Sequence, residues 1–214
     1  MRYILLLAVV LASNAFAAPD FDETMAEAKQ GAAYAQSNLG FRYYNGDGVP
    51  ENMAEAVKWY RKAADQGKVD AQFNLGVMYE RGAGVPENDA EAVKWYKKAA
   101  DQGYAQAQYN LGNMYERGAG VPENDAEAVK WYRKAADHGD AEAQYNLGVM
   151  YYNGDGVPEN DVRAYVWWSM AKTQGYEEAK KGIETVKSLM TKQHIAQAQA
   201  LATQCYESDY KDCD

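Results

Sequence analysis

Histidine, cysteine and proline are all scarce in this chain of 214 residues, and their scarcity argues against a metal site and against proline-rich disorder. The 2 histidines, His138 and His194, have no cysteine or acidic partner at ligand spacing, so we expect no metal site. The 5 prolines are too few for a proline-rich disordered segment, and four of them recur at a fixed interval. The chain is 13% aromatic, which supplies the apolar area that disordered segments lack.

An excess of positive charge is also absent. The formal net charge is -9, and the lysines and arginines are interspersed with acidic residues instead of clustering. Because phosphate binding needs clustered basic side chains, we expect neither nucleic acid nor an anionic membrane surface as a partner. After residue 17 no stretch is apolar enough to cross a bilayer, so we also expect no membrane span.

Residues 1–17 have the pattern of an export signal. Arg2 is positively charged, residues 3–11 are apolar but too few to span a bilayer, and Ala15-Phe-Ala17 is a cleavage site of the A-x-A type. We therefore predict a signal peptide that is cleaved after Ala17, and a periplasmic or secreted mature protein. An uncleaved amphipathic helix is the structural alternative.

The mature chain keeps 2 cysteines, Cys205 and Cys213, both near its C-terminal end. An exported location permits a disulfide between them. Such a bond would close a small loop outside every repeat and would stabilise the fold by about 2 kcal/mol at most. We expect the acidic tail, residues 206–214, to be mobile apart from this loop.

One segment, residues 74–103, organises the chain because it recurs every 36 residues. A fixed period in this range is typical of stacked supersecondary units. The predicted repeats are 33–68, 69–104, 105–140 and 141–176. Terminal units of such an array must meet water, so we expect an N-terminal capping helix in 18–32 and C-terminal capping helices in 177–205.

Each repeat is predicted to contain two helices. In the second repeat the first helix covers residues 69–81 and ends at Gly82, a natural left-handed position. The second helix begins after Pro86, with Asn88 as its N-cap and Glu91 three residues on, which is a capping box.

Gly76 lies in the middle of the first helix, where glycine costs about 1 kcal/mol relative to alanine. Its return in every repeat predicts that a bulky neighbour packs closely over it. Trp95 or Tyr96 of the same repeat is the expected neighbour.

The motif A-x-A-Q-x-N-L-G-x-x-Y-x-x-G-x-G-V-P, followed by E-A-V-K-W-Y-x-K-A-A-x-x-G, resembles the SEL-like repeat, a longer relative of the tetratricopeptide repeat. The resemblance covers about residues 20–205. It implies an all-α fold, a right-handed α-solenoid of antiparallel helix pairs. It also implies an adaptor or scaffold that is often exported. The family shares no catalytic residues, and we expect no cofactor.

The same resemblance suggests an alternative function. Cysteine-rich members from Helicobacter are credited with binding or hydrolysing β-lactams, and Ser169-Met-Ala-Lys172 matches the S-x-x-K motif of penicillin-recognising enzymes. However, no repeat contains a cysteine and K-T-G is absent. Segments 45–48 and 153–156 read Asn-Gly-Asp-Gly and faintly resemble a calcium loop, but turn chemistry explains them.

The remaining candidates for function are residues on the surface of the first helices. In repeats of this type the first helices line the concave side, and the buried leucines then determine which residues face the groove. The predicted partner-binding residues are Asn38, Phe41, Asn74, Val77, Arg81, Asn110, Asn113, Arg117, Asn146 and Val149, with Asn45 and Asn153 at the corresponding helix ends. Neutral drift on an exposed face is an equal alternative, and the recurring asparagines have a structural one, hydrogen bonding to neighbouring backbone.

We therefore predict a monomeric binding scaffold that presents its groove to a protein or peptide segment and is not an enzyme. The alternative is a protein that binds or hydrolyses β-lactams or cell-wall peptides. A third hypothesis is a structural or chaperone-like component of a larger assembly.

Overall fold

The computed structural model describes residues 20–213, and the predicted signal peptide lies outside them. Within this range the chain is helical and has no β-strand. The helices are α1 (Phe21–Lys29), α2 (Ala33–Asn45), α3 (Met53–Asp65), α4 (Val69–Arg81), α5 (Asp89–Ala100), α6 (Ala105–Arg117), α7 (Asp125–Ala136), α8 (Ala141–Asn153), α9 (Asp161–Thr173), α10 (Glu178–Leu189) and α11 (Lys192–Glu207). None of these helices is both long and apolar enough to cross a membrane.

An asparagine begins the second helix of every repeat. The side chains of Asn52, Asn88 and Asn124 each accept a hydrogen bond at 3.1 Å from the backbone N–H three residues on. Asn160 does the same at 3.0 Å, although Arg163 stands where the other repeats have glutamate. The bond needs only a backbone N–H, so the cap survives loss of the glutamate.

The predicted capping box is only half formed. In the first three repeats the glutamate side chain does not reach back to the asparagine but forms an ion pair with a lysine three residues on, as Glu91 does with Lys94. The backbone N–H of the capping asparagine donates instead to a tyrosine carbonyl near the end of the first helix, as Asn88 does to Tyr79.

Helix pairs stack into a solenoid. Each first helix packs most closely on the second helix of its own repeat and next most closely on the helix that precedes it. The inner face of α4 is buried, with Leu75 fully inaccessible and Met78 1% exposed. The buried residues form three clusters, and the two larger ones each extend across a boundary between repeats.

A ladder of glutamines joins each helix pair to the preceding one, and it was not predicted from the sequence. Each first helix contributes one buried glutamine whose Nε2 donates, at 3.1 to 3.2 Å, to an alanine carbonyl at the end of the preceding helix. These glutamines are Gln36, Gln72, Gln108 and Gln144. In three repeats the Oε1 atom accepts a second bond, at 2.7 to 2.8 Å, from a glutamine that follows the second helix.

The third repeat breaks this ladder. His138 stands where the other repeats have glutamine, and its Nδ1 atom bonds the carbonyl of Lys134 at 2.8 Å. The Oε1 atom of Gln108 is consequently buried with no hydrogen-bond partner among the described residues. The remaining bond of Gln108, from Nε2 to the carbonyl of Ala100, is kept.

The described tail residues, 206–213, lie within the loop closed by Cys205 and Cys213, which was excepted from the expected mobility. Cys205 and Cys213 form a disulfide, and both are buried. The closed loop folds back across the last repeat: the Nζ atom of Lys211 donates to the carbonyl of Asp137 at 2.8 Å. The ring of Tyr210 packs against Gly139. The tail thus docks on the turn between α7 and α8, a contact that spans 74 residues of sequence.

Candidate interaction surface

A cleft lies where α2, α3 and α4 meet, and it gathers several of the predicted partner-binding residues. Its volume is about 250 Å³. The lining residues are Phe41, Tyr44, Asn45, Tyr60, Phe73, Asn74, Val77 and Arg81. Five of the predicted groove residues line this cleft, so the structure brings them together: Phe41, Asn45, Asn74, Val77 and Arg81.

The walls of this first cleft are largely apolar. Phe41 is 54% exposed, which is unusual for a phenylalanine. Tyr44, Phe73 and Val77 are partly buried and complete the apolar lining. Tyr44, Tyr60 and Phe73 were missed by the sequence analysis, although Phe73 directly precedes the predicted Asn74. Apolar area that stays accessible in this way is available to a partner.

A second cleft, between the loop before α5 and the face of α6, has a different character. Its volume is about 370 Å³, and its lining is mostly polar or charged. The lining residues are Glu80, Arg81, Glu87, Asp89, Asn110, Met114, Arg117 and Ala119. Arg81 lines both clefts and therefore marks the boundary between an apolar and a polar part of the surface.

Two of the recurring asparagines take part in holding the fold together. The Tyr96 hydroxyl donates to Glu80 at 2.5 Å, and the Asn110 side chain hydrogen-bonds the same hydroxyl. One repeat later the Tyr132 hydroxyl lies 2.5 Å from Glu116 and bonds Asn146.

Tyr96 and Tyr132 are both buried. Loss of solvent, followed by the hydrogen bond to the glutamate, raises the pKa of both Tyr96 and Tyr132 well above its ordinary value. Asn113 also contacts the Tyr132 hydroxyl, which lies 2.9 Å from its Oδ1 atom. Asn110 and Asn146 thus each bond a tyrosine hydroxyl of the preceding repeat, and not the neighbouring backbone that the structural alternative named.

The residues considered above for catalysis or metal binding are not arranged for either role in the described chain. The Oγ atom of Ser169 donates to the carbonyl of Tyr165 at 2.7 Å, a bond internal to α9. Lys172 is exposed, and no hydrogen bond joins it to Ser169. Across residues 20–213 no group of three or more His, Cys, Asp or Glu side chains is placed to hold a metal ion.

The turn segments that resemble calcium loops have local bonds. The Nδ2 atom of Asn153 donates to Asp155 at 2.9 Å, and that of Asn45 donates to the carbonyl of Phe41 at 3.0 Å. His194 supplies a backbone N–H to its N-cap, Thr191. These bonds are those of helix ends and turns, not of a ligand cage.

The family is decided by comparison with known repeats. The model of the Sel1 repeat matches residues 33–68, 69–104, 105–140 and 141–176, the same ranges as the four repeats predicted from the period. The chain belongs to the Sel1 repeat family. Sel1 repeats build helical scaffolds that are mostly non-catalytic and that generally serve protein–protein interaction.

Solved Sel1 structures resemble this one. A protective antigen of uropathogenic Escherichia coli is 42% identical, with a TM-score of 0.74 over 76% of this chain. This chain spans 35% of the antigen's length. A Sel1 repeat protein of Oxalobacter formigenes is 41% identical, with a TM-score of 0.72, and the match covers 76% of this chain and 67% of that one. No protein of curated function matches the chain at a significant level.

Proposed function

We propose that this Sel1 repeat protein is an exported scaffold without catalytic activity, which binds a protein or peptide segment along a concave groove formed by α2, α4, α6 and α8. The observation that carries the proposal is the cleft at the start of this groove, where the predicted residues Phe41, Asn74 and Val77 line one accessible surface. A solenoid offers such a surface continuously, which suits an extended ligand.

Two features support the proposed compartment. The Cys205–Cys213 disulfide is of the kind that persists in oxidising compartments. The sequence of residues 1–17 predicts an export signal. Both support a periplasmic or secreted location.

The test is capture of partners from the native periplasm by crosslinking. A variant with Val77→Glu, Asn113→Glu and Val149→Glu places three charges in the proposed groove, and we expect the yield of its specific partners to fall by about tenfold or more. Substitution of the exposed residues Ala54, Ala90 and Ala126 by glutamate adds the same charge to the second helices and is the matched control.

The proposal is wrong if both variants recover every partner as the unmodified protein does. Equal losses in both variants would also count against it, since the effect would then come from net charge and not from the groove. Circular dichroism and a urea midpoint for each variant separate loss of binding from loss of folding.

A further inference from the structure

The junction between the first two repeats differs from the two that follow it. In the later junctions a glutamate holds the inward tyrosine, and an asparagine from the next repeat bonds the same hydroxyl. In the first junction Tyr44 occupies the position of that glutamate. The Tyr60 hydroxyl and the Asn74 amide therefore form no side-chain hydrogen bond with any described residue, and both line the first cleft.

Arg81 adds a positive charge to this junction, and the same charge also acts on the Tyr96 hydroxyl from the side of the second cleft. It is exposed at the last turn of α4, and it forms no ion pair within residues 20–213. The neighbouring carboxylate of Glu80 is directed to the Tyr96 hydroxyl. The guanidinium is thus available to an acceptor in the first cleft, where a bidentate hydrogen bond to a carboxylate is its preferred interaction.

Apolar surface lies next to these polar groups. The exposed ring of Phe41 and the side chain of Val77 face the same cleft as Asn74 and Arg81. An amide such as that of Asn74 both donates and accepts, so it can pair with a peptide bond of an extended chain. The cleft therefore offers an apolar wall, a peptide-matching amide and a cation side by side.

We propose that this first-junction site, formed by Phe41, Tyr60, Asn74, Val77 and Arg81, binds an extended segment of a partner protein that carries a bulky apolar side chain beside a carboxylate. The inference rests on the proposed function and specifies which part of the groove makes the contact and with what chemistry. Charge complementarity selects the occupant: the unpaired guanidinium attracts an acidic segment locally, although the protein as a whole is acidic.

The test is an NMR titration of the isotopically labelled mature protein with a capped peptide, acetyl-Ser-Gly-Leu-Asp-Gly-Ser-amide. We expect saturable shifts in the side-chain signals of Asn74, Val77 and Arg81. Replacing the peptide's aspartate by asparagine, or its leucine by alanine, should each weaken binding by about tenfold.

A matched pair of protein variants locates the site. Arg81→Ala should weaken binding by about tenfold, because it removes the cation that meets the carboxylate. Lys192→Ala removes one positive charge at the exposed start of α11, outside both clefts, so it should leave the affinity within about twofold. Both residues are exposed, so neither variant is expected to affect folding.

Each other outcome overturns the inference. Saturable shifts centred on Arg117, or equal affinity for the aspartate and asparagine peptides, would leave the groove as a binding surface but reject this site and its chemistry. Shifts at the same residues that depend on protein concentration without peptide would assign the site to a second copy of the chain. If no peptide produces saturable shifts, the site assignment falls, while partner capture with the groove variant still decides the broader proposal.

Discussion

The ring of Tyr96 lies against the α-carbon of Gly76, so closely that a β-carbon built on the glycine would stand 2.6 Å from Cδ1 of the ring. Gly40 and Gly112 have the same relationship to Tyr60 and Tyr132, and in the fourth repeat the equivalent ring is tryptophan. The pairing predicted for Gly76 is thus confirmed, with Tyr96 rather than Trp95 as the neighbour. It sets the distance between the two helices of a repeat.

Gly112→Ala should destabilise the protein despite the higher helix propensity of alanine. The new β-carbon would meet ring atoms of Tyr132 at 2.7 Å, and that ring is held by Glu116 and Asn113. Overpacking of this kind costs about 1 to 3 kcal/mol, which outweighs a propensity gain of about 1 kcal/mol. The urea midpoint measures the balance. In a double-mutant cycle, Tyr132→Leu should recover part of the loss, and a raised midpoint for Gly112→Ala alone would disprove close packing.

His138→Gln should stabilise the third repeat. In the other repeats a glutamine at this position donates to the Oε1 atom of the ladder glutamine. The corresponding Oε1 atom of Gln108 has no partner among the described residues. Supplying the missing donor is worth about 1 kcal/mol, and the urea midpoint should rise accordingly. The reverse substitution, Gln102→His, should lower the midpoint by a similar amount. Absence of both effects would mean that the ladder contributes nothing to stability.

Leu111→Ala tests the phase of the inner helix face. Leu111 is completely buried in α6, and truncation of such a leucine costs about 2 to 5 kcal/mol. Leu189→Ala is the control, because Leu189 is 62% exposed and its loss should change stability by less than about 0.5 kcal/mol. Chemical denaturation followed by circular dichroism gives both values. Similar costs for the two variants would contradict the assigned core.

A chromogenic β-lactam decides the enzymatic alternative for Ser169. The hydroxyl of Ser169 donates to the carbonyl of Tyr165 in its own helix, and no base among residues 20–213 is hydrogen-bonded to it. A serine nucleophile is normally activated by such a base. We expect no turnover above background for the unmodified protein. Turnover that disappears in Ser169→Ala but persists in the neighbouring variant Thr173→Ala would establish the alternative.

Local signals made most of the fold predictable. The left-handed glycine at Gly82 and the N-cap at Asn88 fix helix ends by short-range chemistry, and the predicted bounds 69–81 agree with α4. The pairing of Gly76 with an aromatic residue was also readable, because a repeated mid-helix glycine needs a packing reason.

Long-range and side-chain relationships were harder to predict. The recurrence of glutamine at positions 36, 72, 108 and 144 was visible, but its partner atoms became evident only when helices from two repeats met. The docking of Lys211 on Asp137 joins segments with no shared pattern. At the candidate site, Val77 was among the predicted groove residues. Tyr60 was not, because it lies on α3 and reaches the first cleft from a second helix.

The docked disulfide loop also makes the two ends of the array differ in how firmly they are held. Linear arrays lose structure from their ends, where a unit has only one neighbour. At the C-terminal end, the bond from Lys211 to Asp137 ties the last helix to a turn one repeat further in, so the final units must open together. In the part of the chain that the structure describes, the short helix α1 covers the N-terminal end of the array. Fraying should therefore begin beside the first cleft, the end of the groove where the fold leaves its polar groups unpaired.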